Sequence, residues 1–421
     1  MRFKPRLDIR SMAANVVEIQ QNCRDRNMMG AAESVPQVAS LYAEWVTHSR
    51  HVNELRSRRN KLSDQVRSPD VMREAARIKK ELHGMQETSR SMESHLHALA
   101  AKIPNDIHPA PRSITKPSLM HTIGTPREPS LDHLDICDRL HLLDLPAAGE
   151  VSGYGWYYLK NALVLLEQAL VSHSLDIASK RGWEMVSAPS VVRSGLVAAC
   201  GYQPRDEIGQ QVYHLESDKG DAEERLSLAG TAEIPLAGLG LNRIFTPDEL
   251  PKRIVGVGRS YRAEAGSRGA ASRGLFRVHE FCKVELFAFT APRDSEGMLN
   301  EIRLLQQEMV EGLGLCARVL DMPPNDLGAS AYRKHDIEAW MPGRQKWGEI
   351  TSCSNCTDYQ SRRLHARHKS ADGQMDFVHT VNGTAAAIPR LLIALLETGW
   401  DGEGVRLPQA LEPYMRTSYI R

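Results

Sequence analysis

Cys353-Ser354-Asn355-Cys356 has the spacing of two ligands of a tetrahedral zinc ion. A complete site needs more donors, and no second Cys pair or His pair at ligand spacing stands nearby; His365 and His368 lie on an Arg-rich segment where a solvent-facing reading is simpler. Gly256-Val257-Gly258 suggests a nucleotide-binding turn, but the third glycine and the following helix are missing, so tight strand geometry explains it better. A longer stretch holds more. Tyr261-Arg262-Ala263-Glu264-Ala265-Gly266 leads through a Gly- and Arg-rich segment to Phe276-Arg277-Val278-His279-Glu280-Phe281-Cys282-Lys283-Val284-Glu285, which reads as strand, loop, strand. Glu349 and Ser352 stand three residues apart. Each feature alone has a plain alternative: a buried salt bridge for Arg262 or Arg390, a surface acid and hydroxyl for Glu349 and Ser352, a helix cap for Thr231-Ala232-Glu233-Ile234-Pro235.

The elements that must hold these residues fall into two kinds. Leu41, Trp45, His48, Val52, Leu55, Arg59, Leu62 and Val66 alternate steps of four and three, the seam of a coiled coil. Ser68-Pro69-Asp70 supplies turn chemistry, and the stepping resumes through Val71, Ala75, Ile78, Leu82, Met85, Ser89, Met92, Leu96, Leu99 and Ile103. Two long helices folded back as an antiparallel hairpin satisfy both runs. Residues 50 to 81 carry ten Lys or Arg against five Asp or Glu. Arg56, Arg58, Arg59, Lys61, Arg67, Arg73, Arg77, Lys79 and Lys80 dominate, and on a projecting hairpin they suit phosphate contacts better than a merely solvated face.

From Ile103 to Pro129 six prolines (Pro104, Pro109, Pro111, Pro117, Pro126, Pro129) and weak periodicity predict a linker. Beyond it, Trp156 to Lys180 has helical spacing, Arg253–Gly258 and Lys283–Phe289 read as strands, and a last helix is expected near Thr384 to Thr398. Short loops without regular helical crossovers favour an antiparallel sheet. Composition bounds the rest. The 421 residues, 42% hydrophobic and 25% charged, allow two or three domains, and 53 basic against 52 acidic side chains mean that a polyanion must be met by a local surface. Seven scattered cysteines fit a reducing compartment, and the absence of a long apolar run argues against membrane spanning.

Several quoted segments together resemble the seryl-tRNA synthetases, a class II aminoacyl-tRNA synthetase family. Arg262-Ala263-Glu264, Arg273-Gly274-Leu275 and Val278-His279-Glu280-Phe281 are similar to motif 2; Val381-Asn382-Gly383 with Thr384-Ala385-Ala386-Ala387-Ile388-Pro389-Arg390 to motif 3; and Pro189, after Gly182-Trp183-Glu184, sits where motif 1 keeps its proline. Thr231-Ala232-Glu233 and Glu349-Ile350-Thr351-Ser352-Cys353-Ser354-Asn355 match two further seryl signatures. The likeness runs from Leu7-Asp8-Ile9-Arg10 to Leu411-Glu412-Pro413-Tyr414-Met415.

The resemblance implies an α+β protein: a coiled-coil, tRNA-binding domain over residues 1–110 and a class II catalytic domain over 111–421, built on an antiparallel sheet with flanking helices. It implies ATP and Mg²⁺ as cofactors, L-serine and tRNA(Ser) as partners, and a homodimer through motif 1. Arg262 is then expected at the α-phosphate and the serine carboxylate, Arg390 at the γ-phosphate, Glu264 at the adenine amino group and Phe281 stacked on adenine, with Ala263, Val278, Ile350 and Thr351 completing the ATP site. Glu349 and Ser352 would hold the metal. Glu285 and Thr384 would read the serine hydroxyl, while Thr231, Ala232 and Glu233 gather its amino group and Asn382 borders the pocket.

Two rivals are a catalytically inactive paralogue, which should show broken motifs, and a carrier-protein aminoacylating homologue, which should lack the basic arm. Arg262, Glu349, Arg390 and the arm are all present. Arg2, Lys4, Arg6 and Arg10 outnumber Asp8, as at the end of an organellar presequence, and the motif wording is most like fungal mitochondrial forms. A mitochondrial matrix enzyme is therefore expected, with a cytoplasmic one as the alternative.

Overall fold

The computed structural model describes residues 5–63, 68–202, 211–216, 225–263, 273–370 and 372–421. They form two compact units, one over Leu7–Asp106 and one built from Ile107–Arg421.

The first unit is helical. Two short helices, α1 (Ile9–Ala14) and α2 (Val16–Asp25), precede the long α3 (Met29–Ser63) and α4 (Pro69–Ala101). Ser68 caps α4 by accepting the Val71 N–H, and Pro69 opens the helix where a missing N–H costs nothing. The long helices run antiparallel: His48 bonds to Ser89 at 2.8 Å, His51 approaches Glu81 at 3.5 Å and Arg58 pairs with Glu74 at 2.7 Å. Val52, Leu55, Ile78 and Leu82 form one buried cluster between them. Val35, Val38, Leu96, Ala100 and Ile103 form another, against which residues of α1 and α2 pack. Arg59, placed on the seam by spacing, is exposed instead; its guanidinium gains more from water than from an apolar seam. Val66 lies outside the described residues.

The second unit is organised by an eight-stranded sheet. Its strands in chain order are β1 (Ser118–Ile123), β2 (Glu184–Ser187), β3 (Lys252–Tyr261), β4 (Glu280–Thr290), β5 (Ala317–Asp321), β6 (Arg333–Met341), β7 (Lys346–Asn355) and β8 (His379–Ala387). The spatial order is β1-β5-β6-β7-β8-β4-β3-β2, antiparallel throughout except for the β2–β3 pair. Around it stand α5 (His133–Arg139), α6 (Ala162–Lys180), α7 (Glu233–Ala237), α8 (Ser295–Gly312), α9 (Tyr359–Leu364) and α10 (Ile388–Gly399). Strand alternation divides the core. Val284, Leu286 and Ala288 of β4 join the cluster containing α6, α8 and α10, while Phe287 and Phe289 join a second cluster containing Ile234, Leu236 and Leu364.

Three expectations need correction. The Pro-rich segment after Ile103 contains β1, whose mostly exposed residues give no burial pattern to read because it is an edge strand. The helix expected from Trp156 begins at Ala162, since Asn161 at φ +51° breaks helical geometry and Tyr158–Leu159 pair with Leu143–Asp144. Thr384 to Ala387 belong to β8, and helix starts only at Ile388, where Pro389 occupies its first turn. Among the described residues, no helix is long and apolar enough to cross a membrane.

Candidate active site

The strand period explains which side chains of β4 can act together. Cys282, Val284 and Leu286 face the helices, so Phe281, Lys283 and Glu285 share the opposite face. Thr384 of β8 lies opposite Glu285 in the register, and its hydroxyl donates to Glu285 Oε2 at 3.5 Å. On β7, Glu349 and Ser352 are three residues apart, a spacing that in a regular strand points them to opposite faces. The pairing with β6 slips between Ile337 and Glu338, so that Ile350 is the extra residue of a bulge, and both Glu349 and Ser352 reach one cleft. A second bulge between Thr384 and Ala386 bends β8 in the same region. Gln306 of α8 ties the two bulges together, its Nε2 lying 2.8 Å from each of Thr351 Oγ1, Ser352 O and Thr384 O.

The cleft takes in about 610 Å³ of space, part of it open to solvent. Arg262, Val278, Phe281, Glu349, Ile350, Thr351, Ser352, Thr384 and Arg390 all line it, together with Leu275, Phe276, Arg277 and Lys283. Arg262 stands at the end of β3 with its guanidinium 5.2 Å from the Phe281 ring centre. Its main chain is clamped by His279, whose carbonyl accepts the Arg262 N–H at 2.8 Å and whose Nδ1 lies 2.9 Å from Arg262 O. Ala263 follows, bonded through its N–H to Gln211 O at 3.2 Å. Arg390 donates to Glu349 O at 2.7 Å and pairs with the Glu349 carboxylate at 3.3 Å. Burial opposes ionisation of Glu349, but Lys334, Arg390 and Arg262 outweigh it and hold this carboxyl down at about 2. Its side chain keeps 40% of its surface accessible. A cleft with three arginines, a lysine and one firmly ionised acid suits a polyanion bound with a cation.

The remaining expected residues form a buried floor. Thr231, Ala232, Glu233 and Glu285 are all 5% exposed or less. Glu285 pairs with Lys283 at 2.6 Å. Burial and the Glu285 charge push the Glu233 carboxyl up to about 7, against the pull of Lys283, Gln360 and Tyr202. Asn382 sits on β8, with Cys356 Sγ 3.9 Å from its Oδ1. Gly256 and Gly258 have a packing role here: a Cβ on the first would meet Leu236 at 3.0 Å and on the second Ala232 at 3.2 Å. They let α7 sit tightly on β3. Glu264 and Arg67 lie outside the described residues. Arg56, Arg58, Arg59, Lys61, Arg73, Arg77, Lys79 and Lys80 are exposed on α3 and α4, within the other unit.

Several contributors gave no sequence signal. Lys283 could have been found from the period of β4, since it falls between Phe281 and Glu285 on their face. His133 could not. Glu397 of α10 is fully buried and accepts four N–H groups: His133 N and Nδ1, both at 3.2 Å, Gly343 N at 2.9 Å and Arg344 N at 3.1 Å. His133 Nε2 then accepts the Leu275 N–H at 3.4 Å. Asp132, His133 and Glu397 come close enough to share a metal ion, but these N–H donors already occupy His133 and Glu397. The hub fixes the cleft wall, where Arg344 and Arg390 lie 4.0 Å and 4.8 Å from the Phe276 ring centre. Cys353 and Cys356 are both buried, and neither joins a candidate metal cluster among the described residues.

Comparison with known proteins agrees with this layout. Residues 7–107 match the family described as the seryl-tRNA synthetase N-terminal domain, and residues 213–399 match the tRNA synthetase class II core domain (G, H, P, S and T). The chain is 40% identical to the mitochondrial serine–tRNA ligase of Schizosaccharomyces pombe, covering 98% of this chain and 89% of that one. It is 37% identical to the mitochondrial serine–tRNA ligase of Saccharomyces cerevisiae, covering 98% and 95%. The serine–tRNA ligase of Treponema denticola is also 37% identical, covering 97% and 98%. Among solved structures, seryl-tRNA synthetase from Pyrococcus horikoshii complexed with ATP superposes with a TM-score of 0.87 at 30% identity, covering 98% of this chain and 99% of that one. With matching sequence across both units and the same fold, this chain belongs to the seryl-tRNA synthetase family.

Proposed function

We propose that the protein is a serine–tRNA ligase that activates L-serine with ATP and transfers the seryl group to the 3′ end of tRNA(Ser). The observation that carries this reading is the convergence of Arg262, Phe281, Glu349 and Arg390 on one cleft that shares Lys283 and Thr384 with the buried Glu285. The serine carboxylate is ionised at neutral pH, so attack on the α-phosphorus needs no general base. A bond forms from carboxylate oxygen to phosphorus, and the bond to the bridging oxygen breaks to release pyrophosphate. In the second step a terminal tRNA hydroxyl attacks the acyl carbon, and AMP leaves.

Two anions must be brought together, and that assigns the cations. Arg262 holds the α-phosphate and the serine carboxylate, Arg390 the γ-phosphate, and Phe281 stacks on adenine. Ala263, Val278, Ile350 and Thr351 line the nucleotide, and Glu264 is assigned to the adenine amino group by the family resemblance. Glu349 and Ser352 would hold Mg²⁺, which supplies charge neutralisation at the phosphates; the ionised carboxylate and the hydroxyl on one face fit that hard cation. Glu285 and Thr384 read the serine hydroxyl, Thr231, Ala232 and Glu233 receive the ammonium group, and Asn382 borders the pocket. A pocket that hydrogen-bonds a hydroxyl rejects alanine because its own buried groups would stay unpaired.

The exposed basic residues of α3 and α4 form a coiled-coil arm that meets tRNA by shape and phosphate contacts. Exposed apolar side chains on α6 and β2, with Leu165 57% and Met185 58% accessible, support a homodimer through this face. The fungal mitochondrial relatives support a mitochondrial location. ATP–pyrophosphate exchange with each of the twenty amino acids tests the activity. Serine alone should drive rapid exchange; equal exchange with alanine or threonine, or none with any, would contradict the proposal.

A further inference from the structure

Glu233 carries no partner of opposite charge on its own helix, yet both of its carboxylate oxygens are engaged. Oε1 accepts from Gln360 Nε2 at 2.6 Å, and Oε2 accepts from the Tyr202 hydroxyl at 3.0 Å. The Gln360 amide is itself held from two sides. Its Oε1 accepts the Thr380 hydroxyl at 2.8 Å, and its Nε2 also donates to Cys200 O at 3.3 Å, so the nitrogen must face Glu233. Gln360 is fully buried. Two neutral donors therefore point this carboxylate, and the buried cation that acts on it, Lys283, is itself bound to Glu285. The buried set of Glu233, Lys283 and Glu285 contains two acids and one base, which leaves the floor short of one positive charge. A substrate ammonium supplies it.

We propose that Tyr202 and Gln360 are positioning residues that aim the Glu233 carboxylate and keep it ionised, and so set the pH range over which the pocket accepts the serine ammonium group. This rests on the reading of Glu233 as the ammonium anchor. The charged and titratable groups around it are Glu285 and Lys283 from β4, Tyr202, Arg262 at the end of β3, and the buried thiols of Cys200 and Cys356. Burial and Glu285 raise the carboxyl to about 7, with Lys283, Gln360 and Tyr202 pulling the other way. Below that pH the free pocket is protonated, and serine must displace a proton to bind. Above it the pocket is ready. Loss of either donor hydrogen bond moves this transition upward, because a bond to the charged form is removed.

The test measures the KM for serine and the KM for ATP by pyrophosphate exchange between about pH 6 and 8, where the amine of free serine, more basic than a peptide α-amino group, stays largely protonated. In the unaltered protein the serine KM should climb as pH falls below about 7, while the ATP KM stays level. Tyr202→Phe keeps the ring and removes one donor; it should move the climb to higher pH and raise the serine KM about three- to tenfold at neutral pH, with ATP unaffected. Gln360→Leu should do the same. Where Gln360→Leu folds poorly, Tyr202→Phe decides. Glu233→Gln should raise the serine KM and erase its pH dependence; if it does not, the anchor reading itself fails. If Glu233→Gln acts as stated but Tyr202→Phe leaves both the serine KM and its pH profile unchanged, the positioning role alone is overturned. A parallel rise of serine and ATP KM with no pH shift would also overturn it, since that is the mark of a general structural defect.

Discussion

The helical unit and the sheet-built unit place their candidate functional residues in opposite ways. On α3 and α4 the basic side chains are exposed, and the apolar residues between the helices do the holding. In the other unit the polar residues are themselves buried: Glu233, Lys283, Glu285, Gln306 and Gln360 are all 6% exposed or less. A buried polar group must find partners or cost about 1–3 kcal/mol, so each position depends on several others. An exposed lysine depends on none. The catalytic floor should therefore be intolerant of single changes, and the arm should respond gradually.

The largest expected effect is at Arg262. In its proposed place at the α-phosphate it would stabilise the charge that develops there, and Arg262→Ala should cost at least about 3 kcal/mol in kcat/KM for pyrophosphate exchange. A folded variant retaining more than about a tenth of the exchange rate would remove Arg262 from the chemistry. His133→Ala comes next and needs no substrate to be read. It leaves Glu397 and the Leu275 N–H short of partners inside the fold, and should lower stability to urea by about 3 kcal/mol. An unchanged unfolding midpoint would mean that the hub contributes nothing.

Thr384→Val keeps shape and removes the hydroxyl beside Glu285. Serine activation should fall by about 1–3 kcal/mol while the ATP KM holds, and the preference for serine over alanine should shrink. An undiminished preference would take Thr384 out of the pocket. The smallest effects belong to the arm. Lys79→Ala or Lys80→Ala should leave stability within about 0.5 kcal/mol and lower the slope of log affinity for tRNA on log salt by about one. A stability loss as large as that of His133→Ala would erase the contrast between the two units.

The same contrast decides what could be read from sequence. The seam of α3 and α4 is a local repeat, and Val52, Leu55, Ile78 and Leu82 emerge buried where the spacing puts them. The strands β3 and β4 were legible from β-branched and aromatic runs. Thr384–Ala387 read as helix because alanine favours it, and only pairing with β4 makes those residues a strand. Glu349 and Ser352 came from family resemblance; the bulge that puts them on one face is invisible in a string of letters. Tyr202, Gln360, Gln306 and His133 matter through contacts with residues 20 to 264 positions away, which no local pattern encodes.

The central claim is that activation and tRNA selection are carried by separate units, and one deletion addresses it. The helical cluster next to α1 and α2 includes Val38 and Leu96 and should be kept, so the cut belongs beyond the His48–Ser89 bond. Removing Arg50 to Thr88 and joining the ends with a short glycine linker takes out the outer cluster and most of the basic side chains together. Serine-dependent pyrophosphate exchange should stay within about threefold of the full chain, while kcat/KM for charging tRNA falls by at least about a hundredfold. Equal charging by the two proteins would contradict the account, and so would loss of exchange along with charging.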